Sequence, residues 1–156
     1  AKIALGIGMN VLFTDKFVGK TQIDLNLAFD KKISFDLESS DMTDLLKNSD
    51  FVSLHVPAQK SYVIGKNEFN LMKTGAGLIN AARGGVVDEK SLIESLDSGK
   101  LAFAGVDTFE NEPKPSVKLL MHPKVSLTPH IGAATNEAQD RIGIELANQI
   151  MTLVKE

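Results

Sequence analysis

Cysteine and tryptophan are absent from this 156-residue chain, tyrosine occurs once, histidine three times and proline five times. Without cysteine there is no disulfide, no thiolate nucleophile and no zinc–thiolate site, although the absence suits oxidising and reducing compartments alike. The three histidines, His55, His122 and His130, lack the close spacing of metal ligands, so no metal site is expected. No apolar run approaches the roughly 20 residues of a membrane span, and no basic segment leading into an apolar one opens the chain. We therefore expect a cytoplasmic protein that does not engage a membrane. A formal net charge of −3 with both signs interleaved gives no footprint for nucleic acid. What is present, 43% hydrophobic and 24% charged residues, is the make-up of one globular domain able to bury a core.

Three apolar runs end abruptly in polar residues. Leu78 to Ala82 runs into Arg83, Ala102 to Val106 runs towards Glu112, and Val125 to Thr128 runs into His130. Short apolar runs separated by helical stretches mark parallel strands buried on both faces. In open α/β sheets, ligands bind beyond the carboxyl ends of such strands. An arginine, a glutamate and a histidine just past three strand ends therefore line one rim of one sheet.

The chain begins without methionine, inside an apolar run that has no helix start signal. Gly6 fits the cap of that helix, and Met9 to Thr14 fits a strand ending at Asp15. Gly6-Ile7-Gly8 starts like a dinucleotide fingerprint, but Val11 stands where the third glycine belongs and a strand follows, so it reads as a helix-to-strand turn. From Gln22 to Leu37, period-two alternation on both sides of Asp30-Lys31-Lys32 predicts a hairpin with one wet face. Ser40 or Asp41 caps a short helix through Lys47, and Phe51 to Val56 is a buried strand closed by Pro57. A short helix is expected within Gly65 to Thr74, and Asp88 caps another that carries Leu92, Ile93 and Leu96 inward and stops at Gly99. Lys114 to Pro123 holds only a helical turn. Thr135 opens the last helix, whose Ile142, Leu146, Ile150 and Val154 step by four along one face.

The segments NAARGGVVDE, AGVDTFENEP and TPHIGAATNEAQDR, in this order and spacing, resemble the nucleotide-binding domain of the D-isomer-specific 2-hydroxyacid dehydrogenases. The resemblance covers residues 1–156 as one partial dinucleotide-binding domain. It implies an α/β fold, a Rossmann-like doubly wound parallel sheet. The family's first strand and glycine-rich loop would end just before Ala1, and its substrate domain is missing from the chain. With strand order 3-2-1-4-5-6, the strands ending at Asp15 and at Val56 would each face an unpaired edge. Thr108 stands where an aliphatic or aromatic residue is usual, a position without chemistry.

The same resemblance implies NAD as cofactor, a small 2-hydroxy acid as substrate and a homo-oligomer built through this domain. The small GAAT and EAQDR elements favour the branch that oxidises 3-phosphoglycerate on the way to serine. Oxidising a hydroxy acid requires removal of the hydroxyl proton, for which histidine is suited. His130 is the base, whereas His122 reads as a loop histidine capping a strand. Glu112 holds the His130 ring and stabilises its protonated form. Arg83 offers a planar fork to a carboxylate and the developing carbonyl, and Gly84-Gly85 behind it let a ligand or a backbone approach. Asp15 is the ribose reader and favours NAD over NADP. Asp107 faces the nicotinamide carboxamide, or caps a turn. Val56, Ala81, Ala82, Gly132 and Ala133 are small or backbone contacts to the cofactor, bordered by Arg83 and His130; packing alone also explains them. Two other functions share these residues: a glyoxylate or hydroxypyruvate reductase, and an NAD-sensing corepressor-like interaction protein.

Overall fold

A computed structural model describes residues 1–154. In chain order the elements are α1 (Lys2–Gly6), β1 (Lys20–Asn26), β2 (Lys32–Glu38), α2 (Met42–Asn48), β3 (Phe51–Leu54), α3 (Lys66–Leu71), β4 (Ala76–Asn80), α4 (Glu89–Asp97), β5 (Leu101–Val106), α5 (Val117–Leu120), β6 (Val125–Leu127) and α6 (Asn136–Val154). β3, β4, β5 and β6 form a parallel sheet in that order, and β1 and β2 form a separate antiparallel hairpin. Each parallel step needs a crossover, and α3, α4 and α5 supply the three. This is the expected α/β, Rossmann-like architecture.

The core lies between the sheet and these helices. Leu78, Leu92, Leu96, Leu101 and Leu119 are fully buried with Ile64, Phe69 and Met72. Leu92 and Leu96 are one turn apart, so α4 lays one face on β5. Each fully buried side chain of this size contributes about 1.5–3 kcal/mol. The Asp88 carboxylate caps α4 through Lys90 and Ser91 N–H, and Gly99 ends it with φ +76°. Asp41 caps α2 through Thr43 N–H.

Three expectations are corrected. Residues 9–14 form no strand; Phe13 makes a single bridge to Ser39, and its carbonyl accepts from Ser40 N–H. A strand exists only where a neighbour supplies donors and acceptors, and here the neighbour is the segment after β2, not the parallel sheet. Gly6 ends α1 but does not take the left-handed cap; Gly8 does, at φ +83°. The parallel strands are also not buried on both faces. β3 alternates exposed and buried, and Phe51, Ile79 and Phe103 stand half-exposed on the face opposite α4. Phe51 and Phe103 pack there on each other, ring centroids 6.0 Å apart, over Gly77.

The hairpin matches its expected span, with Ile23 opposite Phe35. Its tip turns through Phe29 and Asp30, both at positive φ, the backbone that matches strand twist in a tight hairpin. β3 is an edge strand, paired to β4 alone. α6 runs 19 residues, opened by Thr135, whose Oγ1 accepts from Ala138 N–H. Its apolar stripe, Ile142, Leu146 and Ile150, is exposed.

Candidate active site

The carboxyl ends of β4, β5 and β6 lie side by side, so the residues that follow them share one rim. After β4, the buried Asn80 side chain shapes the exit: its Oδ1 accepts from Ala82 N–H and its Nδ2 donates to the Arg83 carbonyl. Arg83 is thereby turned outward and exposed, one guanidinium nitrogen donating to the Ala82 carbonyl at 2.6 Å. The fork has five N–H donors, so most remain for an anion. Gly84 follows directly under the Phe109 carbonyl, and a Cβ there would overlap that backbone. Ala81 is exposed and Ala82 buried.

After β5, Asp107 is buried and its carboxylate collects three donors from the next loop. Oδ1 accepts from Thr128 Oγ1 at 2.5 Å and Ile131 N–H at 2.9 Å, and Oδ2 accepts from Gly132 N–H at 3.0 Å. Burial pushes this carboxyl up, but the Thr128, Ile131 and Gly132 bonds and the nearby His130 outweigh it, so it sits below the ordinary carboxylate range. Three of about four acceptor positions are taken, and the first task of Asp107 is to pin the loop that carries His130. His130 needs pinning because its backbone is left-handed, φ +54°, a conformation that costs a non-glycine residue about 1 kcal/mol or more.

Glu112 meets His130 across this gap, Oε2 to Nδ1 at 2.8 Å, while its Oε1 accepts from Phe109 N–H at 2.9 Å. The bond to His130 first, and that from Phe109 second, hold the Glu112 carboxyl below its ordinary range. A carboxylate only accepts, so Nδ1 carries a proton, and in the neutral ring Nε2 is then the proton acceptor. Both side chains are part-exposed, open to a ligand.

The structure thus brings Arg83, Asp107, Glu112, His130 and Gly132 onto one rim, flanked by Ala81, Ala82 and Ala133. Val56 lies just past the end of β3, half-buried against the core. Asp15 stands apart: its Oδ1 accepts from Phe17 and Val18 N–H at 2.8 and 3.0 Å, and these bonds lower its pKa. Oδ2 has no partner among the described residues, which suits an acceptor for ribose hydroxyls. His122 is structural: Nδ1 accepts from Lys124 N–H and Nε2 faces Asp97. No group of three or more acidic or histidine side chains fit for a metal exists among the described residues.

Sequence reasoning missed Asn80, Thr128, Glu89 and Glu110. Asn80 carried a signal, a polar residue closing an apolar strand. Thr128 and the two glutamates carried none, because each acts on a group about 21 residues away in the chain, the Asp107 carboxylate for Thr128 and a backbone N–H for each glutamate.

A parallel sheet whose carboxyl-end rim carries an arginine and a carboxylate-backed histidine has the architecture of a dinucleotide-binding domain of the dehydrogenase type. The chain belongs to the D-isomer specific 2-hydroxyacid dehydrogenase family: the model of that family's NAD binding domain matches residues 1–132. It is 43% identical over 155 residues to a hydroxypyruvate reductase of Thermotoga maritima, covering 96% of this chain and 47% of that protein. It is 39% identical over 158 residues to a D-3-phosphoglycerate dehydrogenase of Archaeoglobus fulgidus, covering 99% of this chain and 28% of that protein. Among solved structures, a D-lactate dehydrogenase from Treponema pallidum superposes with a TM-score of 0.74 at 30% identity, over 99% of this chain and 48% of that one. The chain spans less than half the length of these relatives.

Proposed function

We propose that this domain serves NAD-dependent oxidation of a D-2-hydroxy acid, with 3-phosphoglycerate as the substrate and serine synthesis as the setting. The observation that carries the reading is the Glu112–His130 pair on the same sheet rim as Arg83, with no partner for His130 Nε2 among the described residues. Bound NAD would accept the hydride from the substrate's hydroxyl-bearing carbon. His130 Nε2 takes the hydroxyl proton, and Glu112 stabilises the imidazolium that results. Arg83 holds the substrate carboxylate and steadies the forming carbonyl oxygen. Asp15 accepts from the ribose hydroxyls and repels a 2′-phosphate. Reduction of hydroxypyruvate or glyoxylate uses the same groups in reverse, and the identity to the Thermotoga maritima protein favours it as the second reading.

The test is steady-state kinetics of the intact natural protein with 3-phosphoglycerate, hydroxypyruvate and glyoxylate. His130→Ala is expected to lower turnover about 100-fold or more, the usual scale for a general base; unchanged turnover ends the mechanism. Asp15→Ala is expected to raise KM for NAD and shift preference towards NADP. A natural protein that already prefers NADP sinks that assignment, and faster turnover with hydroxypyruvate selects the second reading.

A further inference from the structure

We infer that Glu89 and Glu110 are positioning residues, a reciprocal clasp that holds the loop after β5 so that Glu112 meets His130. The inference rests on the dehydrogenase reading above. Glu89 N–H donates to Glu110 Oε1 at 2.9 Å, and Glu110 N–H donates to Glu89 Oε1 at 2.8 Å. Two acidic residues 21 positions apart thus exchange side chain for backbone in both directions. One sits at the start of α4 and the other two residues before Glu112.

Capping alone does not account for the pair. Asp88 already satisfies Lys90 and Ser91 N–H, and the N–H of Glu89 is the one that Glu110 takes. Glu89 itself caps nothing in α4; its buried carboxylate reaches across to the loop. Burial pushes that carboxyl up, with the Glu110 N–H opposing, and neither glutamate has a salt bridge among the described residues. Two facing carboxylates without a cation cost stability, and a pair of amides would accept the same two N–H bonds without the charge.

What the clasp fixes is the backbone at Phe109 and Glu110, on whose N–H and carbonyl groups the three catalytic side chains depend. Phe109 N–H orients Glu112 Oε1, and Glu112 in turn orients His130. The Phe109 carbonyl lies against Gly84, which follows Arg83. With the side chain of Phe109 buried, its N–H bonded to Glu112 and Glu110 N–H held by Glu89, this stretch of backbone is fixed from three directions. A shift of it misplaces the proton acceptor without touching the cofactor.

The experiment compares Glu89→Asp and Glu89→Gln in the intact natural protein. Aspartate keeps the charge but is one methylene too short to reach Glu110 N–H, whereas glutamine keeps the reach and the acceptor oxygen. Glu89→Asp is expected to lower kcat on the order of 10-fold, the scale of a small misplacement of reacting groups, while KM for NAD stays within about twofold. Amide exchange at Glu110 is expected to speed up in the same variant. Glu89→Gln is expected to keep both near the natural values. If Glu89→Asp does not fold, Glu110→Asp and Glu110→Gln read the same contrast from the other side. Unchanged kcat in the aspartate variant with fast Glu110 exchange overturns the inference, as does a glutamine variant impaired equally. A natural protein that oxidises no 2-hydroxy acid overturns the functional reading and the positioning role with it. An active one indifferent to Glu89→Asp overturns the clasp alone.

Discussion

Replacing Asp107 by asparagine is the sharpest perturbation of this site, because it changes one atom and leaves the shape. The carboxylate receives Thr128 Oγ1 and Ile131 N–H on one oxygen and Gly132 N–H on the other. An amide offers one acceptor, so in either orientation its NH2 faces a backbone N–H. With the oxygen towards Ile131, Gly132 N–H is stranded; flipped, Ile131 N–H is stranded and only the Thr128 hydroxyl can rotate to accept. A buried donor left without a partner costs about 1–3 kcal/mol, and surviving bonds fall from the charge-assisted to the neutral scale. The sum is about 2–4 kcal/mol, against about 5–15 kcal/mol for a whole domain. For a chain of this size that is a fall of about 4–16 °C in Tm. The left-handed His130 loses its anchor at the same time, so turnover is expected to fall with stability. Because the folded Asp107 carboxyl is held below its ordinary value, its contribution is present above about pH 4 and lost as pH falls through the lowered value. The stability gap between the natural protein and Asp107→Asn should therefore narrow below about pH 4. Thermal unfolding between pH 3 and 8 tests this, and a variant whose Tm stays within about 1 °C at neutral pH refutes the reasoning.

Thr108 is fully buried and its Oγ1 has no hydrogen-bond partner among the described residues, so Thr108→Val, which swaps that hydroxyl for a methyl of similar volume, is expected to stabilise by about 1–2 kcal/mol. A fall in Tm would mean the hydroxyl has a partner in solution. Gly84→Ala places a Cβ in the Phe109 backbone, which no rotamer change relieves; we expect a loss of about 1–3 kcal/mol and of Arg83 function together. Gly143, in α6 with open space around it, is the control: Gly143→Ala should stabilise by about 0.5–1 kcal/mol through helix propensity. Equal Tm shifts in the two glycine variants would show that the contact at Gly84 is not the cause.

The alternation of short strands and helices, the hairpin, and the rim residues Arg83, Glu112 and His130 were all legible along the chain. These follow from periodicity, from caps such as Asp88 and Gly99, and from polar residues that close apolar runs, all of which are local. Tertiary structure alone decided that residues 9–14 form no strand, since a strand is made by its neighbour and Phe13 found only Ser39. It decided that Thr108 buries a hydroxyl without a partner among the described residues, a position that looked inert in the sequence. It also decided that Asp107 spends its carboxylate on the His130 loop and that Glu89 and Glu110 exchange backbone bonds. A side chain that satisfies an N–H some 20 residues away leaves no pattern along the chain, because the spacing between them is set by the helix and strand that intervene and not by the residues themselves.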